Sequence, residues 1–85
     1  MKIPVAPLQA RYRTLQEQGV GPAVMARRID YVRPCGRVDT TRLQRNLGLR
    51  PHRSNGYRII NRHVGPGVAV RLCRALDLDP VDMGL

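Results

Sequence analysis

The chain has 85 residues and a formal net charge of +9, and it contains no Phe, no Trp and only three Tyr. A chain of this length buries only about 60 to 65% of its unfolded surface, so its core is small and a deep substrate or cofactor pocket is not expected. The composition favours a single small binding domain over an enzyme, and neither a catalytic residue nor a cofactor is predicted.

The positive charge lies in the middle of the chain. Residues 27–62 hold ten arginines against Asp30 and Asp39, a net charge of +8, whereas residues 1–26 sum to +2 and residues 63–85 to −1. Arginine pairs bidentately with phosphate and with guanine. A basic middle between nearly neutral ends is typical of a nucleic-acid-binding face, whereas a solubilising surface usually mixes both signs.

Two helices are predicted in the first third of the chain. The first ends near Gly19, and its apolar stripe has the spacing 3, 4, 3. This stripe consists of Val5, Leu8, Tyr12 and Leu15. The second helix begins at Pro22, which suits a first helical turn, and runs to about Ile29 with Met25, Ala26 and Ile29 facing inward. Tyr31 to Val38 contains Pro34 and Gly36 and is predicted to be a loop.

A third helix follows this loop, with Asp39 or Thr40 as its N-cap and Gly48 as its stop. Leu43 and Leu47 are four residues apart and face the core. The other side carries polar and basic side chains, namely Thr41, Arg42, Gln44 and Arg45.

The segment after the third helix contains Asn55-Gly56, a strong signal for a two-residue hairpin turn. Tyr57 to Ile60 is strand-like. The first arm, however, contains Pro51 and few aliphatic residues, so an ordered loop is an alternative to a two-stranded wing.

The last predicted elements are a helix with apolar residues at helical spacing and a short terminal helix. The apolar residues are Val68, Leu72, Ala75 and Leu76. Asp79 is the expected N-cap of the terminal helix, with Pro80 at its first position. The predicted fold class is mainly α: a single domain over residues 1–85, a compact bundle of about five short helices containing a helix-turn-helix, with a small hairpin wing.

The second and third helices predict a helix-turn-helix that binds double-stranded DNA. The major groove admits one helix, whose outward donors can match base edges. The predicted base-reading residues are Thr41, Arg42, Gln44 and Arg45. The predicted backbone contacts are Arg27, Arg28, Arg37, Thr40, Arg50, Arg53, Asn55, Arg58 and Arg62. An ordinary exposed amphipathic helix is the alternative, which the +8 segment and the lack of acidic partners on that helix disfavour.

The cysteines and histidines do not predict a metal site. Cys35, His52, His63 and Cys73 match no zinc spacing, and Cys73 falls among helical core positions. No signal peptide and no apolar run near the ~20 residues of a membrane span are present. We therefore expect a cytoplasmic, nucleoid-associated protein that does not bind membranes.

Four segments resemble helix-turn-helix proteins of the phage Cro and repressor type. Residues 12–20 (YRTLQEQGV), 23–29 (AVMARRI) and 40–47 (TTRLQRNL) are similar to that family's first three helices, and residues 69–82 (AVRLCRALDLDPVD) to its fourth and fifth. The resemblance implies that Ala26 is the small residue where the second and third helices meet, and that the third helix reads DNA.

The chain departs from that family at Asp30, where a Gly usually follows the second helix, and in its longer loop. Residues 48–58 (GLRPHRSNGYR) also resemble the wing of MerR-type and excisionase winged-helix proteins. That second resemblance implies a DNA-bending accessory factor of recombination or a MerR-like regulator.

The predicted function is sequence-specific DNA binding by a small transcriptional repressor or regulator of phage or prophage type. Two copies on a pseudo-palindromic site are expected, because one helix reads only a half-site. Val81, Met83 and Leu85 either supply the dimer contact or cover the core. Alternatives are the excisionase-like factor, an RNA-binding protein, which the scarcity of aromatic residues disfavours, and a basic inhibitor of an acidic protein.

Overall fold

The computed structural model describes residues 1–85, except for the side chain of Ser54, as four α-helices, a terminal 3₁₀ helix and two small antiparallel sheets. The helices are α1 (Ala6–Glu17), α2 (Pro22–Arg28), α3 (Thr40–Asn46) and α4 (Pro66–Ala75), and the 3₁₀ helix is Pro80–Met83. The strands are β1 (Ile3–Pro4), β2 (His52–Ser54), β3 (Tyr57–Ile59) and β4 (His63–Val64).

The predicted apolar stripe of α1 and the predicted inward face of α2 both lie in the core. The buried residues of these two regions are Val5, Leu8, Tyr12, Leu15, Met25, Ala26 and Ile29. Pro22 begins α2 as predicted, and α1 is followed by Gly19 at φ +87°. The 3.6-residue periodicity therefore predicted both helices and their buried faces.

Aspartates take the left-handed position that follows α2 and α4. Asp30 has a φ of 57° and Asp77 a φ of 55°. In both cases the next N–H reaches back to the helix, from Tyr31 to the Ala26 carbonyl at 3.0 Å and from Leu78 to the Cys73 carbonyl at 2.8 Å. These are the closing hydrogen bonds of a Schellman-type helix end. Asp30 thus adopts the left-handed conformation that Gly usually adopts at a helix end, since Asp tolerates it better than most residues.

The connection between α2 and α3 is ordered by its own backbone hydrogen bonds. Val32 and Val38 form an isolated antiparallel bridge. The Arg33 N–H donates to the Arg37 carbonyl, and the Asp39 N–H donates to the Tyr31 carbonyl, both at 2.7 Å. Tyr31 is buried in the core, which the pattern of the surrounding loop residues did not predict.

The predicted hairpin is formed, and the alternative of an ordered loop is wrong. Strands β2 and β3 pair antiparallel, with His52 opposite Ile59 and Arg53 opposite Arg58. The turn residues Asn55 and Gly56 have φ values of 51° and 82°. Both angles are positive, as the tight turn favoured by Asn-Gly requires.

A second sheet was not predicted. Strand β1 pairs with β4, with Ile3 opposite Val64, and the Val5 N–H donates to the Arg62 carbonyl at 3.0 Å. Two-residue strands carry too little alternation to be detected from sequence. This sheet anchors the chain after the hairpin to the start of α1.

Helix α4 completes the core, and two arginines cap its carboxyl end. Its buried residues and the residue that follows it are Ala69, Leu72, Cys73, Ala75 and Leu76. Arg11 Nε donates to the Leu76 carbonyl and Arg28 Nη1 to the Ala75 carbonyl, both at 3.1 Å. These bonds satisfy carbonyls that have no partner within the helix.

The predicted short helix after Asp79 is formed, and it is a 3₁₀ helix. Asp79 Oδ1 accepts from the Val81 N–H at 3.0 Å. Met83 and Leu85 pack against the core, whereas Val81 is 72% exposed. Of the helices in the described chain, none is long and apolar enough to cross a membrane.

Candidate nucleic-acid interface

Helix α3 is held by a side-chain cap and two core leucines. Asp39 Oδ1 accepts from the Arg42 N–H at 3.0 Å, which makes Asp39 the N-cap. Leu43 and Leu47 are completely buried. The outer side of the helix therefore presents the exposed Arg42 and Arg45 and the half-buried Thr41.

The structure corrects the predicted outward position of Gln44. Its Nε2 donates to the Tyr12 hydroxyl at 3.2 Å, so the side chain turns toward α1. Its Oε1 is buried and has no hydrogen-bond partner among the described residues. At 100° per residue, position 44 lies on the border between the two sides of α3, and the nearby tyrosine hydroxyl draws the amide inward.

Arg42 is oriented by an aromatic ring. Its Cζ atom lies 4.2 Å from the centroid of the Tyr31 ring, a distance typical of a cation–π contact. The Tyr31 hydroxyl accepts from Asn46 Nδ2 at 2.8 Å. The buried tyrosine of the α2–α3 loop thus positions an exposed cation on α3.

On the hairpin, two arginines stand directly opposite each other. Arg53 of β2 and Arg58 of β3 are register partners, and both residues are exposed. Directly opposed residues of an antiparallel pair have their side chains on the same face, where like charges destabilise the pair. This face of the hairpin is therefore suited to an anion.

The hairpin and α3 enclose a basic groove, here called the α3–wing groove. One part of it is a cavity of about 360 Å³ lined by Arg45, Pro51, His52, Arg53 and Arg58. The adjoining part is a cavity of about 410 Å³ lined by Asp39, Arg42, Arg45, Asn46, His52 and Asn61. Arg45 and His52 line both cavities. The groove thus brings residues of the third helix and of the wing to one concave surface.

Asn61 connects the hairpin to α3. Its Nδ2 donates to the Arg45 carbonyl at 3.0 Å, and its Oδ1 lies 3.1 Å from His52 Nε2. Because the amide nitrogen is engaged with a carbonyl, Oδ1 is an acceptor and His52 Nε2 is the donor. Asn61 was not predicted as a functional residue, since its partners lie nine and sixteen positions away and no local motif signals them.

The other predicted backbone-contact residues are distributed around the groove and elsewhere on the surface. Arg37 is exposed on the α2–α3 loop, Asn55 is exposed at the tip of the hairpin, and Thr40 is half-buried at the start of α3. Arg50 and Arg62 are exposed on either side of the hairpin.

The two predicted backbone-contact residues of α2, Arg27 and Arg28, do not line the groove. Arg28 is exposed and donates from Nη1 to the Ala75 carbonyl at the end of α4, because unsatisfied helix carbonyls attract a guanidinium. Arg27 lines a separate surface depression with Ala23 and Val24.

Little of the positive charge is neutralised within the protein. Across the described part of the chain, the one ion pair joins Arg33 Nε and Asp39 Oδ1 at 3.9 Å. The larger of the two groove cavities includes the carboxylate of Asp39, whereas the smaller is lined by no acidic residue. The groove can therefore offer several guanidinium donors to a negatively charged partner.

The thiols lie in different environments. Cys35 is exposed and Cys73 is buried in the core, as its helical position predicted. Burial raises the pKa of the Cys73 thiol above its ordinary value of 9.0, and the charge of Asp79 raises it further. Among the described residues, no three His, Cys, Asp or Glu side chains are grouped closely enough to hold a metal ion.

The chemistry of the groove is that of an anion-binding surface, with guanidinium groups from α3 and from both strands of the wing. No protein family, curated protein or solved structure gives a match to this chain. Its function is therefore inferred from the residues of the groove.

Proposed function

We propose that the protein binds double-stranded DNA through the α3–wing groove, with α3 in the major groove and the hairpin against the sugar-phosphate backbone. The observation that carries this proposal is the grouping of Arg42, Arg45, Arg53 and Arg58 around one groove. Two of these arginines lie on α3 and two on the hairpin strands, and the fold brings them to one groove.

Base contacts are assigned to the outer side of α3. The B-DNA major groove, about 12 Å wide, admits an α-helix. Arg42 is exposed and oriented by Tyr31, and a bidentate arginine is the commonest specific contact to guanine. Thr41 precedes it on the same outer side and offers a hydroxyl and a methyl group.

Backbone contacts are assigned to the hairpin and to exposed arginines around it. Arg53 and Arg58 form a pair of cations on one hairpin face, and Asn55 lies at the tip. Arg50 and Arg62, on either side of the hairpin, supply further positive charge. Contacts of this kind position a protein on DNA without reading its sequence.

The proposed biological role is that of a small transcription regulator that occupies an operator, of the phage repressor type that the sequence resembles. A single α3 reads only a few base pairs, so two copies on a pseudo-palindromic site are proposed. Val81, which is 72% exposed, is the candidate apolar contact between the copies.

Selection from a random pool of duplex DNA at about 150 mM salt tests the proposal, followed by salt titration on the enriched sequence. A two-fold motif with half-sites about one helical turn apart is the expected result. Absence of any enriched sequence, together with binding that disappears as salt rises, would contradict sequence-specific binding. Retention of single-stranded RNA under the same conditions would instead support an RNA-binding protein.

A DNA-bending accessory factor of recombination is the second candidate function, which the formed hairpin after α3 favours. Gel mobility of complexes with the enriched site placed at different positions along a fragment measures the bend. A strong dependence of mobility on site position supports bending, and its absence favours the simple regulator.

A further inference from the structure

We propose that Arg45, Arg53 and Arg58 together form a binding site for a single phosphate group, which in a complex is one phosphate of the DNA backbone. That the phosphate comes from DNA rests on the proposed function, whereas the existence of the site does not. It changes the predicted role of Arg45, which the sequence assigned to base reading.

The geometry of the smaller groove cavity supports this site. The three arginines come from α3, β2 and β3 and line the same space of about 360 Å³. That volume is near the lower end of the roughly 300 to 1,000 Å³ typical of small-ligand pockets, which suits a phosphate with its attached sugar. The other lining residues, Pro51 and His52, bring no negative charge to the cavity.

The grouped positive charges of the site favour the binding of an anion. Arg53 and Arg58 oppose each other across a hairpin of only three residues per strand, and an isolated two-stranded hairpin is marginally stable. Arg45 adds a third positive charge to the same cavity. No hydrogen bond or ion pair to another described residue engages any of the three guanidinium groups. A phosphate accepts from several guanidinium donors at once and removes the repulsion between them.

The elements that carry the three arginines are joined to each other before any ligand arrives. Asn61 hydrogen-bonds both the Arg45 carbonyl and His52, and so holds the hairpin against α3. The backbone of Asn61 also packs against Gly48, the residue shortly after α3. Preorganisation of this kind reduces the cost of ordering the hairpin against α3 on binding.

Salt titration of DNA binding distinguishes one shared phosphate from three separate ones. We compare the wild type with Arg45→Gln, Arg53→Gln, Arg58→Gln and the triple variant, and use Arg74→Gln on α4 as a control that removes the same charge outside the groove. The slope of log K against log salt is negative, and its magnitude decreases by about 0.9 for each DNA phosphate that the protein no longer neutralises. A shared site gives a fall of about 0.9 in the triple variant and no more in any single variant. A fall of about 2.7 in the triple variant, as three independent phosphates would produce, overturns the proposal.

A DNA-free titration tests the site itself. Inorganic phosphate is added to the full chain at low salt, and the side-chain Nε–H resonances of the arginines are followed by NMR. The resonances of Arg45, Arg53 and Arg58 are expected to shift together with one dissociation constant, whereas that of Arg74 stays in place. Shifts confined to other arginines, or no shifts, overturn the site.

The two experiments separate failure of the site from failure of the proposed function. If inorganic phosphate binds at the three arginines but the protein does not bind DNA, the phosphate site stands and DNA is refuted as the source of the phosphate. If the protein binds DNA with sequence specificity, but phosphate shifts no arginine resonance and the three arginines contribute independently to the salt slope, the proposed function stands and the shared site is refuted.

Discussion

The carbonyl oxygen of Asn61 lies against Gly48, in the space that the Cβ atom of any other residue would occupy. Gly48 follows α3 with a φ of +72°, a left-handed conformation that L side chains rarely adopt. The Gln9 amide nitrogen lies 3.1 Å from the same Cβ position. Gly48 thus ends the third helix and also permits the chain after the hairpin to pass directly against it.

Replacement of Gly48 by Ala is expected to lower the free energy of unfolding by about 2 kcal/mol or more. The backbone must move away from Asn61, at a typical cost of about 1 to 3 kcal/mol, and the left-handed conformation adds about 1 kcal/mol. Urea unfolding followed by circular dichroism measures this loss. Gly19→Ala is the matched control, because Gly19 has a φ of +87° and open space around its Cβ position. Equal losses in the two variants would contradict a role for the Asn61 contact.

The hydrogen bond between Asn61 and His52 of β2 is expected to stabilise the fold measurably. Asn61→Ala removes bonds to two elements, each with a typical net contribution of about 0.5 to 1.5 kcal/mol, whereas His52→Ala removes one of them. A double-mutant cycle measured by urea unfolding should give a coupling energy of about 0.5 to 1.5 kcal/mol. Strictly additive losses would show that the two side chains do not interact in solution.

Asn61→Ala should also weaken DNA binding by more than its effect on folding explains, because the arginines of β2 and β3 lose their position relative to α3. Affinity is measured under conditions in which the variant remains folded. Gly19→Ala, a substitution at a left-handed residue that lines neither groove cavity, serves as the comparison. Unchanged affinity in Asn61→Ala would mean that the groove does not need this connection.

Arg42→Ala is expected to reduce affinity for the enriched DNA sequence by about 1 to 3 kcal/mol and to affect random DNA much less, as removal of a bidentate base contact does. Arg53→Ala should weaken binding to both DNAs alike, because a phosphate contact carries no sequence information. Fluorescence anisotropy with the two duplexes makes the comparison. Similar losses on both duplexes for Arg42→Ala would remove this residue from the base-reading set.

Stability should fall as the pH rises above the ordinary thiol pKa of 9.0, because the pKa of Cys73 is raised in the folded protein. In that range the unfolded chain loses the thiol proton while the folded chain keeps it, so the unfolded state binds fewer protons and is favoured by rising pH. Urea unfolding at about pH 8 and about pH 10 measures the change. The decrease should be smaller in Cys73→Ala than in the wild type or in the exposed-cysteine control Cys35→Ala, and equal decreases in all three would contradict the role of Cys73.

The helices were predictable because each carries a local signal. Leu8, Tyr12 and Leu15 repeat at helical spacing, and Pro22 and Pro80 stand at first helical positions. The hairpin was equally local, since Asn55-Gly56 supplies two positive φ angles within a two-residue turn. Such features depend on neighbours a few residues away and can therefore be predicted without the fold.

The errors and omissions all involve residues that meet across the chain. The spacing of α3 predicts that Gln44 points outward. Its Nε2 atom, however, lies 3.2 Å from the hydroxyl of Tyr12, a residue 32 positions away in sequence. The hydrogen bond from Arg28 to the Ala75 carbonyl was not predicted either, because its two partners lie 47 positions apart in sequence. A helical pattern indicates which side of a helix is apolar, but not which polar groups of other elements lie at the border of that side.

By itself the sequence determined the approximate limits of the helices, the hairpin turn and the concentration of positive charge between residues 27 and 62, because these follow from local spacing and composition. Only the tertiary structure decided that Arg45 shares a cavity with Arg53 and Arg58. It also decided that Asn61 joins the hairpin to α3 and that Tyr31 orients Arg42. The physical reason is that hydrogen bonds, stacking and charge repulsion act over a few ångströms of space, whatever number of residues separates the groups along the chain.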